Sequence, residues 1–189
     1  GHEFSGVIAK VGKNVKAWKE GDRVTADINM YCGNCYYCSQ GNYLMCDQLT
    51  QLGIHTDGTF AEYVKAPAKL LHHLPDNLSF EAGAFIEPVS CCIHAAKAVN
   101  ARVGGSMAII GCGLGVLHAR MAVLRACAPV IIIGDNKKRL SIAKDMGADY
   151  TININEVADP VAEVKKLTGG RGADYVIEAV GSVKTYEQA

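Results

Sequence analysis

Two rhythms of apolar and polar positions divide the chain. In the first half, short β-forming runs stand between turn residues. Val7-Ile8-Ala9-Lys10-Val11 precedes Gly12 and Asn14, Arg23-Val24-Thr25-Ala26 follows the Gly21-Asp22 turn signal, and the alternating Phe60-Ala61-Glu62-Tyr63-Val64 ends near Pro67. Each predicts a strand. Between Cys32 and His55 periodicity gives way to Cys, Tyr, Gly, Asn and Gln, which predicts a long structured loop. Helix formers then take over from Phe80 to Val99, with Pro88 as punctuation.

Beyond residue 98 the rhythm changes. Met107-Ala108-Ile109-Ile110, Val130-Ile131-Ile132-Ile133, Tyr150-Thr151-Ile152 and Tyr175-Val176-Ile177 are short apolar runs of the kind buried strands make. Helices are predicted between them at 117–126, at 137–146 with a stop at Gly147, and from the Asp159-Pro160 cap to Gly169-Gly170. Strand and helix alternating at this spacing predict a parallel sheet with right-handed crossovers. The expected division is a β-rich domain over 1–98 and an α/β domain over 99–189, a mixed α/β chain overall.

Composition narrows the function classes. The 189 residues are 49% hydrophobic, enough to bury a substantial core. Nineteen Lys+Arg balance nineteen Asp+Glu, so the formal charge is zero and general affinity for nucleic acid or an anionic membrane is not expected. The lysines at 10, 13, 16 and 19 have only Trp18 as an aromatic neighbour and read as solvated edges and turns. No apolar run approaches the ~20 residues needed to span a bilayer. Gly1-His2-Glu3-Phe4 carries no secretory pattern, so a cytoplasmic location is expected. The chain opens within a strand-like pattern and stops at Glu187-Gln188-Ala189 within a helical one, as a piece of a longer protein would.

Cys32, Cys35, Cys38 and Cys46 place four thiols within fifteen residues as C-x2-C-x2-C-x7-C. Short spacings let one loop wrap a Zn²⁺ ion in a closed tetrahedron of soft thiolates, with Gly33 and Gly41 supplying tight turns. A pair of disulfides would need an oxidising compartment, and a redox C-x-x-C would normally open a thioredoxin-like helix. Structural zinc is the preferred reading. Cys91, Cys92, Cys112 and Cys127 lie in apolar surroundings and read as inert buried thiols, although Cys112 is placed to line a ligand.

Gly111-Cys112-Gly113-Leu114-Gly115 follows one predicted strand and opens a helix. Such a turn lets backbone approach a pyrophosphate seated on the helix N-terminus. Twenty residues after Gly115, at the next strand end, Asp135 can accept hydrogen bonds from an adenosine ribose and disfavour a 2′-phosphate. The spacing is G-x-G-x-G, one residue short of the usual fingerprint, and a plain strand–helix turn is the competing reading. NAD is expected. Lys137, Lys138 and Arg139 keep NADP open, since they can pair with a 2′-phosphate as well as face solvent.

His2-Glu3 pairs an imidazole with a carboxylate, a combination found at metal sites and also on ordinary surfaces. Glu87 stands in Ala84-Phe85-Ile86-Glu87-Pro88-Val89, where a carboxylate is costly to bury without a cation or donors. A helix-start carboxylate facing water is the alternative. His94, further along the same helix, reads as packing or surface.

Taken together, the chain resembles the zinc-dependent medium-chain alcohol dehydrogenases, most closely their polyol (sorbitol-like) and threonine dehydrogenase branch. The resemblance rests on Gly1-His2-Glu3-Phe4-Ser5-Gly6, Gly21-Asp22-Arg23-Val24, the cysteine loop 32–46, Gly58-Thr59-Phe60-Ala61-Glu62-Tyr63-Val64, Leu74-Pro75-Asp76-Asn77, Glu87-Pro88, the glycine turn, and Gly172-Ala173-Asp174 leading to Val176-Ile177-Glu178. It implies a partial GroES-like β-barrel catalytic domain followed by a partial Rossmann doubly wound sheet. It also implies a catalytic zinc held by His2 with Glu3 and Glu87, a structural zinc on Cys32, Cys35, Cys38 and Cys46, and a cofactor site at Gly111, Gly113, Leu114, Gly115 and Asp135, with Arg139 assisting the ribose. The implied reaction oxidises a small alcohol, polyol or threonine-like hydroxy compound to the ketone, with hydride passing to NAD or NADP, in a homo-oligomer (dimer or tetramer) that takes neither nucleic acid nor membrane as partner. A further Cys ligand and the proton relay would then precede Gly1. A zinc-lost, quinone-reductase-like relative using NADPH is the alternative from the same fold.

Overall fold

Small antiparallel sheets built from short strands occupy the first part of the chain. The computed structural model describes all 189 residues and divides them into two compact units, Gly1–Pro88 and Val89–Ala189. The first unit contains β1 (Gly6–Val7), β2 (Arg23–Ala26), β3 (Asn29–Met30), α1 (Tyr36–Ser39), β4 (Thr50–Gln51), β5 (Leu71–His73) and α2 (Phe80–Ala84). β2 is central in a β1-β2-β5 sheet, with Gly6 opposite Val24 and Ala26 opposite Leu71, and Val24, Thr25 and Ala26 are buried. β3 and β4 pair as a separate ribbon that brackets the cysteine loop.

Two predicted strands here are cut short or lost. The run from Val7 keeps ladder bonds only to Ile8, whose N–H donates to Asp22 O at 2.9 Å, because the partner strand begins just past the Gly21-Asp22 turn. Residues beyond Ile8 have no neighbour to pair with. The alternating segment 60–64 pairs with no strand and runs as bends to residue 62 and irregular chain beyond, with Phe60 97% and Tyr63 77% exposed. Period-2 alternation describes what a strand would bury, and a strand forms only where another backbone offers its hydrogen bonds.

The helical stretch from Phe80 is two helices broken at Phe85, not at Pro88. Ser79 caps α2 by accepting from Ala82 N at 3.1 Å. Pro88 lies in the first turn of α3 (Ile86–Val99), where its missing N–H costs nothing. The division between the compact units falls inside α3, and residue 98 lies near that helix's other end.

In the second unit β6 (Met107–Ile110), β7 (Val130–Gly134), β8 (Tyr150–Asn153) and β9 (Tyr175–Glu178) pair in parallel in the order β8-β7-β6-β9. The helices α4 (Gly115–Leu124), α5 (Lys137–Asp145), α6 (Pro160–Leu167) and α7 (Val183–Gln188) alternate with these strands. Both faces of the sheet are covered. Ile109, Val130 and Ile132 pack with Val116, Ala119 and Leu140 on one side, while Ala108, Ile110, Ile131 and Ile133 pack with Ile152 and Val164 on the other. That two-sided burial is why these strands read as unbroken apolar runs. Asn136 caps α5 by accepting from Arg139 N, and Asp159 caps α6 with Pro160 at its first position. No helix is long and apolar enough to cross a membrane.

Candidate functional site

Hydrogen bonds to main-chain oxygens hold the His2 segment in place. Thr59 N donates to Gly1 O at 2.9 Å and Thr25 Oγ1 to Phe4 O at 2.8 Å. The approach at Gly1 is so close that a Cβ on Gly53 or Gly58 would lie 2.0 or 2.2 Å from the Gly1 carbonyl oxygen. Ser5 Oγ donates to Phe80 O at 2.6 Å, tying α2 to the same segment, and α3 follows at once with Glu87 in its first turn. His2 Nε2 comes to 3.9 Å from Glu87 Oε1, and one ligand atom each of His2, Glu3 and Glu87 lies within 4.8 Å of the others. His2 and Glu87 are half-buried and Glu3 is exposed. One imidazole and two carboxylates are a donor set that suits a zinc ion with an open position.

The four cysteines also converge. Their sulfurs lie within 4.8 Å of one another, with Cys32 and Cys38 at 4.0 Å. Tetrahedral zinc at the usual Zn–S length would need sulfurs about 3.8 Å apart, so the cluster needs only a small contraction. Main-chain N–H groups already face the sulfurs: Cys32 N and Gln48 N donate to Cys46 Sγ at 3.3 and 3.4 Å, and Asn34 N to Cys32 Sγ at 3.5 Å. The Asn34 amide leads in lowering the Cys32 thiol to about 6, while burial pushes Cys38 up to about 12. Amides of Cys38 and Asp47 lower Cys35. Gly33 and Gly41 take φ of +82° and +76°, the left-handed conformation their tight turns require.

The glycine turn lies at the C-terminal edge of the parallel sheet, where β6 has β7 on one side and β9 on the other. That reversal of strand order is where doubly wound sheets bind ligands. Gly111 has φ +107°, and a Cβ there would meet Val180 Cγ2 at 2.9 Å and Ala179 O at 3.0 Å. A Cβ on Gly115 would lie 3.1 Å from Ile109 Cγ2. Gly115 thus lets the start of α4 pack closely on the Ile109 side chain of β6. Gly113 is open around its Cα and Leu114 is 47% exposed at the start of α4. Asp135 is exposed just past β7, with Cys112 Sγ donating to its Oδ1 at 3.5 Å. Lys137 pairs with Glu156 at 2.5 Å, and Arg139 is exposed on α5.

Residues 1–76 match the family model for the alcohol dehydrogenase GroES-like domain, and residues 113–189 match that for zinc-binding dehydrogenases. The chain belongs to the zinc-dependent medium-chain dehydrogenases. Its antiparallel sheets are the GroES-like part, and its four-stranded parallel sheet is the Rossmann-like part. It is 40% identical to a sorbitol dehydrogenase of Halalkalibacterium halodurans, over 100% of this chain and 55% of that protein. It is 38% identical to an L-threonine 3-dehydrogenase of Bacillus velezensis, over 96% of this chain and 52% of that protein. This medium-chain dehydrogenase thus spans about half the length of the curated relatives it matches. A solved structure assigned as a zinc-binding dehydrogenase from Sinorhizobium meliloti 1021, bound to NADP, superposes with a TM-score of 0.89 at 34% identity, covering 98% of this chain and 55% of that one.

Two side chains at the glycine turn carry no separate signal in the sequence. Asn155 Nδ2 donates to Asp135 O at 3.1 Å, and Glu178 accepts from Val180 N and Gly181 N at 2.8 and 3.0 Å, fixing the loop against which Gly111 packs. Glu178 ends a strand and was legible only as part of the Val176-Ile177-Glu178 match, while Asn155 carries no signal of its own.

Proposed function

We propose that this medium-chain dehydrogenase oxidises a secondary alcohol, a polyol or a threonine-like hydroxy compound to the ketone and passes hydride to NAD. In this reading 1–98 forms the catalytic domain and 99–189 the cofactor domain. The observation that carries it is the convergence of Glu87 on the adjacent His2 and Glu3, within 4.8 Å, from a distant chain position. When bound, zinc supplies Lewis acidity to a coordinated hydroxyl, and the nicotinamide accepts the hydride. His2 would bind as a neutral imidazole, and Glu3 and Glu87 would contribute hard oxygen donors that hold an ion more exchangeably than a full thiolate shell does. Cys32, Cys35, Cys38 and Cys46 hold a structural zinc. Gly111, Gly113, Leu114 and Gly115 offer backbone to the pyrophosphate, Asp135 accepts from the adenosine ribose, and Arg139 assists beside it. Engagement of Lys137 by Glu156 removes one of the cations available to a 2′-phosphate, which supports NAD over NADP. A cytoplasmic homo-oligomer, dimer or tetramer, completes the reading.

Zinc analysis combined with NADH formation on sorbitol-like polyols, threonine, butanediol and sugar phosphates tests it. Both donor sets should fill, and His2→Ala should empty one, retain the cysteine-bound ion and abolish NADH formation. A parent protein with zinc only on its cysteines and NADPH-dependent reductase activity would replace this reading with the zinc-lost reductase.

A further inference from the structure

Cys112 stands between the two halves of the nucleotide site just proposed. The residue is 4% exposed, sits inside the glycine turn, and reaches across to the end of the neighbouring strand. Its Sγ donates to Asp135 Oδ1 at 3.5 Å, an ordinary length for a thiol donor. Gly134 makes the approach possible, because a Cβ there would lie 2.5 Å from Cys112 Sγ and 2.6 Å from Cys112 Cβ.

The backbone around Asp135 is fixed independently. Gly111 N donates to Ile133 O at 2.8 Å, Ile154 N to Gly134 O at 2.9 Å, and Asn155 Nδ2 to Asp135 O at 3.1 Å. What remains free is the torsion of an exposed carboxylate, and an exposed carboxylate samples several rotamers. Binding through it would carry the entropic cost of selecting one. A thiol donor on one oxygen selects that rotamer beforehand and leaves the second oxygen for a ligand.

We infer that Cys112 is a positioning residue for nucleotide selection, holding Asp135 in the orientation that accepts an adenosine ribose hydroxyl and repels a 2′-phosphate. The inference rests on the assignment of Asp135 as the ribose acceptor. Cys112 acts only through Asp135 and undergoes no covalent step.

Binding of NAD and of NADP, titrated separately by calorimetry on the full protein, tests this with Cys112→Ala, Cys112→Ser, Asp135→Ala and the double variant Cys112→Ala/Asp135→Ala. Cys112→Ala should weaken NAD by about fivefold, the scale of one ordinary net hydrogen bond, and leave NADP unchanged or slightly tighter. Cys112→Ser restores a donor and should recover most of the NAD preference. In the Asp135→Ala background, Cys112→Ala should leave the NAD to NADP ratio unchanged. Equal weakening of both nucleotides by Ala and Ser, or an effect on the ratio that persists without Asp135, assigns Cys112 to packing alone and overturns the inference. A parent that prefers NAD while Cys112→Ala keeps the parental ratio rejects the inference but spares the nucleotide assignment. A parent that binds neither nucleotide rejects both.

Discussion

His118 lies on α4 with only 8% of its surface exposed, its Nδ1 buried without a hydrogen-bond partner and its Nε2 3.6 Å from Cys92 Sγ. Burial disfavours the imidazolium and holds its pKa below the ordinary histidine value. In the unfolded chain the same ring takes a proton near the ordinary value of about 6.5. Above that pH the ring is neutral in both states and contributes nothing. As pH falls below it, the unfolded chain binds a proton that the folded chain does not, so stability declines until the lower folded value is reached. Urea unfolding at about pH 7.5 and 5.5 should therefore show a larger stability loss on acidification for the parent than for His118→Leu. Parallel losses in the two proteins would show that the buried imidazole is not the source. Nothing in the sequence marks this residue, because neutrality and a missing partner are properties of its packed neighbourhood. The cysteine loop is the opposite case: four ligands in fifteen consecutive positions carry their geometry in their spacing.

Elements were legible in proportion to how locally they are determined. β6 and β7 form from uninterrupted β-branched and apolar runs, and α5 and α6 start at the caps their sequences announce. The segment at 60–64 carried an equally clear alternation and forms no strand, since a pattern within one segment says nothing about whether a partner strand lies beside it. The glycine turn was legible as a turn, yet which residue packs the helix on the strand became visible only through Gly115 and Ile109. The predicted helix 117–126 ends earlier, at Leu124, because Ala126 turns left-handed at φ +57°. There Cys127 N donates back to Ala122 O at 3.0 Å and Ala126 N to Val123 O at 2.9 Å, a closure that glycine usually provides. An L side chain at such a φ is strained. Ala126→Gly should raise stability by about 0.5–1 kcal/mol, the left-handed strain relieved exceeding the backbone entropy added. A thermal melt in which the variant unfolds below the parent would mean that the methyl group contributes packing worth more than the strain.

At the scale of the molecule, the two compact units draw on different sources of stability. The unit Gly1–Pro88 is built on strands of two to four residues, and its long excursion between β3 and β4 is closed by the cysteine cluster. Strands so short are marginal by themselves, and a metal that binds only the folded loop contributes its binding free energy to folding. The unit Val89–Ala189 instead rests on a four-stranded parallel sheet covered on both faces, with Ile109, Ile131, Ile132 and Val130 fully buried. Its glycine turn and Asp135 belong to that unit alone. The convergence of His2 with Glu87 was the part least legible from spacing, since 85 positions separate them and only the resemblance joined them in advance. Amide hydrogen exchange can separate the two sources. A strong zinc chelator should accelerate exchange in β3, β4 and the loop between them, while β6 and β7 keep their protection. NAD at about a hundred times its dissociation constant should do the reverse, slowing exchange around the glycine turn and adding up to ~2.7 kcal/mol to the opening of that sheet. Loss of protection in β6 and β7 on chelation, as large as in the cysteine loop, would show that the metal supports the whole chain and that the division of stability proposed here is wrong.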